Sequence, residues 1–456
     1  MRRFLLESIG WMLIIALGPL LAVSAGGQAL PIWAPPPLGR LITEGLHRNN
    51  EIGSIKDQIA SLKARISYAG SLDDPRLGLA ILNLPTDSFR FDQEPMTQKQ
   101  IFIAQKFPWF GKLDLRSRRA TFKAVRQQAV LQAKRLELSG RIAKAYYELG
   151  FVGTGLAINA KLTNTVSQLL GVAESRYATG RGLQQDVLQA QVELSKLLDE
   201  KIRLKKKRRT LEDEINALLN RERFSPVAPP VGLHYPDIGL QLRQLQDRAV
   251  KENPLVRVRL AEIDTASTEI QLAHKDYWPD MDVRLAYGQR DEDFNGRSLP
   301  DFVTASVTVN LPVWQKQRQD PNLVAAQKAH QAAVKRYLNL IESLPYQVES
   351  LVTEIRDTQE NYRLFSDALL LQAEQWASSA LTAYEVGKVE FNTMIAAQIR
   401  LLRFELRAAN YIYKTYQKRA ELEEIIGGPL QKTPIAKSAP GKKDQQPMTH
   451  QRGYTQ

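Results

Sequence analysis

Side chains able to do bond chemistry are sparse and dispersed in this sequence. The five histidines, His47, His234, His274, His330 and His450, lie far apart and show no paired-histidine helix spacing. There is no cysteine, so neither a thiolate metal site nor a disulfide can form. The six methionines do not cluster. Gly153-Thr154-Gly155 lies within helical sequence and follows no strand, so it is not a dinucleotide loop. No phosphate loop occurs, nor a Ser-His-Asp set with supporting context. The pattern predicts no enzyme, no cofactor and no resident metal.

What does recur is spacing. Phe107-Pro108-Trp109-Phe110-Gly111-Lys112 follows a short extended stretch and precedes a long run of helix formers. Proline cannot donate to a sheet ladder and holds the residue before it extended, so Pro108 with Gly111 marks a strand turning into a helix. Leu311-Pro312-Val313-Trp314-Gln315-Lys316 repeats the junction 204 residues later. The same offset relates Asn49 to Asn253, Ile52 to Val256, Ile59 to Ile263 and Pro75 to Pro279. Beyond the junction the offset becomes 207, relating Tyr177 to Tyr384, Gly180 to Gly387, Gln191 to Gln398 and Leu218 to Ile425. One offset with a single step indicates an internal duplication.

The elements follow in order. Residues 1–25 read as a signal peptide, with Arg2-Arg3, an apolar run from Trp11 to Ala22 and the small-residue site Val23-Ser24-Ala25. An uncleaved anchor is the alternative. Residues 26–39 form a proline-rich, extended lead-in. The first repeat covers 40–222: a helix from Arg40 to Ala69, strands at Arg76–Leu84 and up to Pro108, then a helix of about 66 residues, roughly 100 Å long. Glycines 140, 150, 153 and 155 are expected to kink that helix, which stops at Gly180 and returns from Leu183 to Leu219. A linker spans 223–237 and the second repeat 238–428. There Asp320-Pro321 reads as an N-cap and first-turn proline, and Pro345 as a kink. Residues 429–456 have the composition of a disordered tail. The net charge of +13 and pI near 9.6 spread along helices as solvated faces, so no nucleic acid is expected.

Strand composition points to lipid. Met281, Val283, Leu285 and Tyr287 alternate with polar or small residues, as do Val303, Ala305, Val307, Val309 and Leu311. Each run suits a tilted strand crossing a bilayer. The first-half strands are less regular, because Phe102 and Leu82 fall on the presumed lumen side. Four strands cannot close a barrel, and an open edge in lipid leaves backbone groups unpaired. Several copies must therefore pool their strands. Two shorter helices stacked end to end match each long one, and recurrent alanines permit close lateral contact.

Together these residues resemble the TolC outer-membrane efflux proteins, in particular their heavy-metal (CusC-like) branch. The resemblance rests on Gln105 to Leu113 at the junction, and on Asn83-Leu84-Pro85 with Phe91 to Thr97 in the first loop. Its third signature is Tyr177-x-x-Gly180 before Asp186 to Gln191, echoed by Tyr384-x-x-Gly387 before Ala397-Gln398. It covers about residues 40–428 and implies a mainly α fold with a membrane β-barrel part. The implied assembly is a homotrimer in the Gram-negative outer membrane, with twelve pooled strands and a long periplasmic tunnel of helices. The implied partners are outer-membrane lipid, a periplasmic adaptor (membrane fusion) protein and an inner-membrane pump. The cargo would be heavy-metal ions or small toxic compounds.

In this family a tip tyrosine bonds an aspartate of a neighbouring helix, and the matching positions are Tyr384 and Asp186. The residues alone leave two arrangements open: that bond, or a packed Tyr384 with Asp186 favouring a helix start by its charge. Tyr177, Gly180, Asp186, Tyr384 and Gly387 are thus the candidate tip and gate, and Phe107, Pro108, Gly111 and Pro312 the junction. Two departures stand out. Thr393 and Ala396 occupy places where drug-efflux relatives carry aspartates, with Glu385 and Glu390 nearby, and no cysteine follows the signal for lipidation. An exit duct for type I protein secretion, or a periplasmic adaptor or structural coiled-coil protein with soluble hairpins, are the alternative readings.

Overall fold

A computed structural model describes residue 30 and residues 32–236, 238–293 and 295–430. The expected signal peptide and the tail beyond 430 lie outside the described residues. In the first half α1 (Pro36–Arg48) and α2 (Asn50–Gly70) lead to β1 (Arg76–Leu82) and β2 (Gln98–Phe107), then to α3 (Lys112–Ala178) and α4 (Gln184–Leu219). In the second, α5 (Leu242–Glu252) and α6 (Pro254–Lys275) lead to β3 (Met281–Gln289) and β4 (Phe302–Val309). Then α7 (Gln319–Leu364), a π turn at Phe365–Leu369, α8 (Leu370–Glu385) and α9 (Phe391–Ile425) complete it.

The single helix expected over Arg40–Ala69 is two helices meeting at Asn49. That residue is extended, and its side chain accepts from the Glu51 and Ile52 amides, capping α2. Its Nδ2 donates to the Leu218 carbonyl at 3.0 Å, tying the break to the end of α4. Asn253 repeats the device: it caps α6 at the Leu255 amide and donates to the Ile425 carbonyl at 2.8 Å. The repeated pairs Asn49/Asn253 and Leu218/Ile425 are thus one contact built twice. It joins the stacked short helices where their free backbone ends meet. α1 starts at Pro36, inside the stretch expected to be extended, with proline in its first turn.

α3 runs unbroken for 67 residues, about 100 Å, through all four glycines. Gly150 serves close approach: a Cβ there would stand 2.4 Å from Pro230 Cγ and 2.5 Å from the Tyr413 ring. The linker crosses α3 at this point. Pro345 also lies inside a continuous helix. Leu344, Val348, Leu351 and Val352 around it are buried against Leu245 and Leu422, and this packing outweighs the lost backbone bond. The irregularity falls at the π turn instead. Asp320 does not cap α7, which begins at Gln319; the Asp320 carboxylate accepts from the Tyr277 hydroxyl.

The four strands form one antiparallel sheet in the order β1-β2-β3-β4. Its register aligns Leu79, Ile101, Tyr287 and Val303 in one row, and Leu77, Ile103, Leu285 and Ala305 in the next. Nearly all of these side chains are exposed. The other face carries Gln100, Phe102, Asp282 and Arg284, with Arg284 donating to Gln100 Oε1 at 2.7 Å. Phe102 is accommodated there because it pairs with Gly78, over which its ring lies, and because the Arg284 guanidinium stacks 3.7 Å from its centroid. No helix among the described residues is long and apolar enough to cross a membrane.

The apolar interior consists of separate clusters strung along the helices. One gathers α1, α3, α4 and α9 around Ile142, Tyr147, Leu219 and Tyr416; another gathers α3, α4, α8 and α9 around Val166, Tyr384, Phe391 and Met394. Near the sheet the helices lie side by side in the order α2, α3, α6, α7. Toward the opposite end the order is α4, α3, α9, α8.

Candidate functional site at the helix tips and the strand-to-helix junction

At the first junction Pro108 ends β2, and Gly111 takes the left-handed conformation at φ +82°, from which α3 starts. Lys112, buried in the first turn, sends its ammonium to Asp280 Oδ1 at 2.9 Å and Asp276 Oδ1 at 3.3 Å. The Trp109 amide donates to the same Asp280 oxygen at 2.9 Å, and the Trp109 ring stacks on Trp278 at 5.1 Å. Burial raises the Asp280 carboxyl, but the Lys112 hydrogen bond and the Trp109 amide outweigh it, holding the group below its ordinary range. The first junction thus braces the second hairpin, with Asp280 as the anchor. At the second junction Pro312 precedes a short 3-10 turn at Gln315–Gln317, where Lys316 is exposed. Phe110, Trp278, Leu311, Val313 and Trp314 are exposed around the two junctions, in the manner of an aromatic girdle at a bilayer interface.

The two hairpin turns have one geometry. Gly180 (φ +70°) donates to the Tyr177 carbonyl at 3.0 Å and Arg181 to the Arg176 carbonyl at 2.8 Å. Gly387 (φ +75°) donates to the Tyr384 carbonyl at 3.0 Å and Lys388 to the Ala383 carbonyl at 2.8 Å. Each is a Schellman closure, which requires the left-handed residue that glycine supplies. The tyrosines at equivalent places diverge: Tyr177 is 49% exposed and Tyr384 only 4%.

Tyr384 lies edge-on to Phe391 at 5.6 Å and beneath the Arg176 guanidinium, 4.7 Å from its ring centroid. Arg176 Nη1 also donates to the Tyr384 carbonyl at 2.8 Å. One cation from the end of α3 therefore stacks on the tyrosine and neutralises a carbonyl at the end of α8, where the helix dipole is negative. Asp186 occupies the first turn of α4. Burial raises the Tyr384 phenol, Arg176 opposes that, and the Asp186 charge adds to it. No hydrogen bond joins Tyr384 to Asp186 among the described residues of a single chain. The structure thus brings Tyr384, Asp186 and Gly387 to one place with Arg176, and sets Tyr177 outward.

Arg176, Phe391, Asp280 and Lys112 were not singled out as site residues from the sequence. Lys112 stood in the quoted junction motif. Arg176 was hidden because its partner in the duplication is Ala383, so it breaks the repeat.

A family model described as outer membrane efflux protein matches residues 41–221 and 245–428. The cobalt-zinc-cadmium resistance protein CzcC of Cupriavidus metallidurans is 23% identical over 184 residues. That match spans 40% of this chain and 42% of CzcC, less than half of either. Among solved structures, the outer membrane protein VceC of Vibrio cholerae superposes with a TM-score of 0.73 at 19% identity, covering 86% of this chain and 97% of VceC. CusC, described in terms of folding and transmembrane channel formation, gives a TM-score of 0.73 at 16% identity, covering 89% and 96% respectively. At such identities the likeness is one of fold, including the four strands each chain contributes.

Proposed function

The chain belongs to the outer membrane efflux protein family, and from that premise we propose that it is the outer-membrane exit duct of a tripartite efflux system. In this reading three copies pool their strands into a twelve-stranded barrel, and their helices form a water-filled tunnel reaching into the periplasm. A periplasmic adaptor and an inner-membrane pump deliver the cargo and the energy. The duct itself performs no chemistry. Tyr177–Gly180 and Tyr384–Gly387 form the periplasmic entrance, held shut around Tyr384, Asp186 and Arg176 until the adaptor engages. The cargo is divalent metal ions, a choice supported by the likeness to a cobalt-zinc-cadmium resistance protein.

The observation that carries this reading is the sheet. Its apolar face is exposed, its other face is polar, and among the described residues neither outer strand, β1 nor β4, has a second partner. Unpaired edges are untenable in lipid, and joining β1 of one copy to β4 of the next removes every edge. The test combines three measurements on the full chain. Detergent extraction should yield a particle of three copies, planar bilayers should show ion-conducting channels, and deletion should lower tolerance to cobalt, zinc or cadmium. A monomer extracted without detergent would end the reading in favour of a soluble adaptor-like protein. Unchanged metal tolerance with loss of a secreted protein would assign the duct to type I secretion.

A further inference from the structure

We propose that neighbouring copies are joined along the tunnel by one charge-registered seam, with the free side of α4 set against the π turn and adjoining ends of α7 and α8 of the next copy. This inference rests on the multi-copy reading above and specifies which surfaces meet and what holds them.

Packing order defines the edges. Toward the tips α4 packs on α3, with α1 at its far end, whereas α8 packs on α9. In the order α4, α3, α9, α8 the first and last helices each keep a free side. A ring of copies closes only when those two sides meet.

The free side of α4 is built for a partner. Leu188, Val192, Leu198 and Ile202 are all exposed. At about 100° per residue they share an arc of roughly 120° opposite the buried Ala190, Leu197 and Leu211. An apolar stripe of this kind on a helix otherwise rich in charge seeks another helix. Beside it the sequence concentrates cations: Lys201, Arg203, Lys205, Lys206, Lys207, Arg208 and Arg209 fall within nine residues, all exposed. Within the chain Arg203 pairs with Asp199, Lys207 with Glu148 and Arg208 with Glu212, and Arg209 lies over Phe224. Lys201, Lys205 and Lys206 have no carboxylate partner among the described residues.

The free side at the other edge has the opposite charge. Asp357, Glu360 and Asp367 are exposed, interleaved with Arg356 and Arg363 and with the exposed Leu364 and Leu371. Asp357 and Glu360 carboxylates have no cation partner among the described residues. Among the described residues the Asp367 carboxylate accepts only from the Ser366 hydroxyl.

Heights along the tunnel match. The Arg176 contacts to Tyr384 hold the two turns of a chain level, and rotation about the tunnel axis preserves height between copies. At 1.5 Å per residue, Leu198 and Leu371 each stand about 21 Å from their turns. Lys201 and Asp367 stand about 26 Å up, and Arg209 and Glu360 about 38 Å. The leucines therefore meet below a band where cations of one copy face carboxylates of the next. The π turn at Phe365–Leu369 lies in that band, an irregularity of the kind often found at functional positions.

The chain has no native cysteine, so engineered pairs report without background. α4 and α8 converge at the turns but do not pack on each other along their lengths, α4 lying on α3 and α8 on α9, so a disulfide between positions about 20 Å from the turns reports on neighbouring copies. Full-length Leu198→Cys/Leu371→Cys and Ile202→Cys/Leu364→Cys variants, oxidised in detergent, should give covalently linked dimers and trimers on non-reducing gels. Lys205→Glu/Lys206→Glu/Arg209→Glu in the same background should cut the linked yield at least several-fold. Adding Asp357→Lys/Glu360→Lys/Asp367→Lys should restore it. A particle of three copies without linked product overturns the seam while leaving the duct reading intact. Linkage unaffected by charge reversal, or not rescued by the compensating reversal, overturns its electrostatic register. A monomeric particle overturns the duct reading and the seam together.

Discussion

If the chain is the duct proposed above, Arg176→Ala should open its tip-side entrance. The guanidinium makes two contacts to the second hairpin: a charged hydrogen bond to the Tyr384 carbonyl at 2.8 Å and a stack on the Tyr384 ring at 4.7 Å. A hydrogen bond from a charged donor contributes about 1.5–3 kcal/mol, and a partly desolvated cation–π contact about 0.5–2 kcal/mol. Arg176 is partly exposed beside the outward Tyr177, so about 2–3 kcal/mol in total is the reasonable sum. At 1.4 kcal/mol per tenfold, loss of both contacts should raise the open-to-closed ratio about 30- to 150-fold. Planar-bilayer recordings of the purified full chain would read this as more frequent and larger openings. Arg176→Lys keeps the charge but loses the planar fork, so it should fall between wild type and alanine. Tyr384→Phe keeps both the ring and the carbonyl, so it should change the ratio by less than about threefold if the ring and carbonyl carry the contact. Arg176→Ala openings equal to wild type would refute this reasoning. A large effect of Tyr384→Phe combined with Asp186→Ala, beside a small one for Arg176→Ala, would move the latch to the tyrosine hydroxyl.

Three further outcomes follow from the packing. Lys112→Met strands Asp280 in a half-buried site with only the Trp109 amide as partner, so it should cost about 2–3 kcal/mol, with partial recovery in Lys112→Met/Asp280→Leu. Tryptophan fluorescence during denaturation, sensitive to the Trp109–Trp278 stack, would measure it. Asn253→Ala removes a cap and leaves the Ile425 carbonyl unpaired, costing about 2–3 kcal/mol, while Asn253→Ser should cost about half as much. Hydrogen exchange over residues 255–260 should quicken accordingly, and Asn49→Ala should do the same, somewhat less, at the start of α2. Acid should destabilise the fold below the ordinary carboxylate range. Glu44 is held down by its Arg221 hydrogen bonds, and Glu421 is lowered because Lys144 and Lys418 outweigh its burial. Such groups stabilise the fold above the ordinary carboxylate range, and the stabilisation is lost as pH falls through their lowered folded values. Melting temperatures between pH 6 and 3 should decline, and Glu44→Gln should flatten part of that decline.

Most of the architecture was legible because it obeys periodicity and duplication. The long α3, the returning helices, the four strands and both glycine-closed turns follow from spacing that local physics enforces. What stayed hidden depended on contacts between distant segments. Asn49 and Asn253 were visible as a repeated pair, and Pro254 marks a helix start after Asn253, yet nothing local to Asn49 says that a helix breaks there, since the carbonyl that holds it lies about 170 residues away. Pro345 should break or bend an isolated helix, and burial of the leucines and valines around it keeps α7 continuous through that point. Phe102 looked misplaced on a polar face until its cross-strand partner proved to be a glycine.

The duplication also indicates where function should be sought. Residues repeated at 204 or 207 do the same structural work twice, as the two asparagines and the two turn glycines do. Departures from the repeat mark positions released from that work. Tyr177 points outward while its counterpart Tyr384 is buried; Arg176 has an alanine as its counterpart; Asp186 corresponds to Thr393 and Phe391 to Gln184. All of these departures lie at one end of the molecule, and Arg176, Asp186 and Phe391 gather there around the buried Tyr384. A wall of equivalent hairpins would form a tube of uniform bore, and nothing in strict repetition could close one end of it. Closing it requires the two hairpins of a chain to differ, as they do at the tips, where α3 ends beside α8.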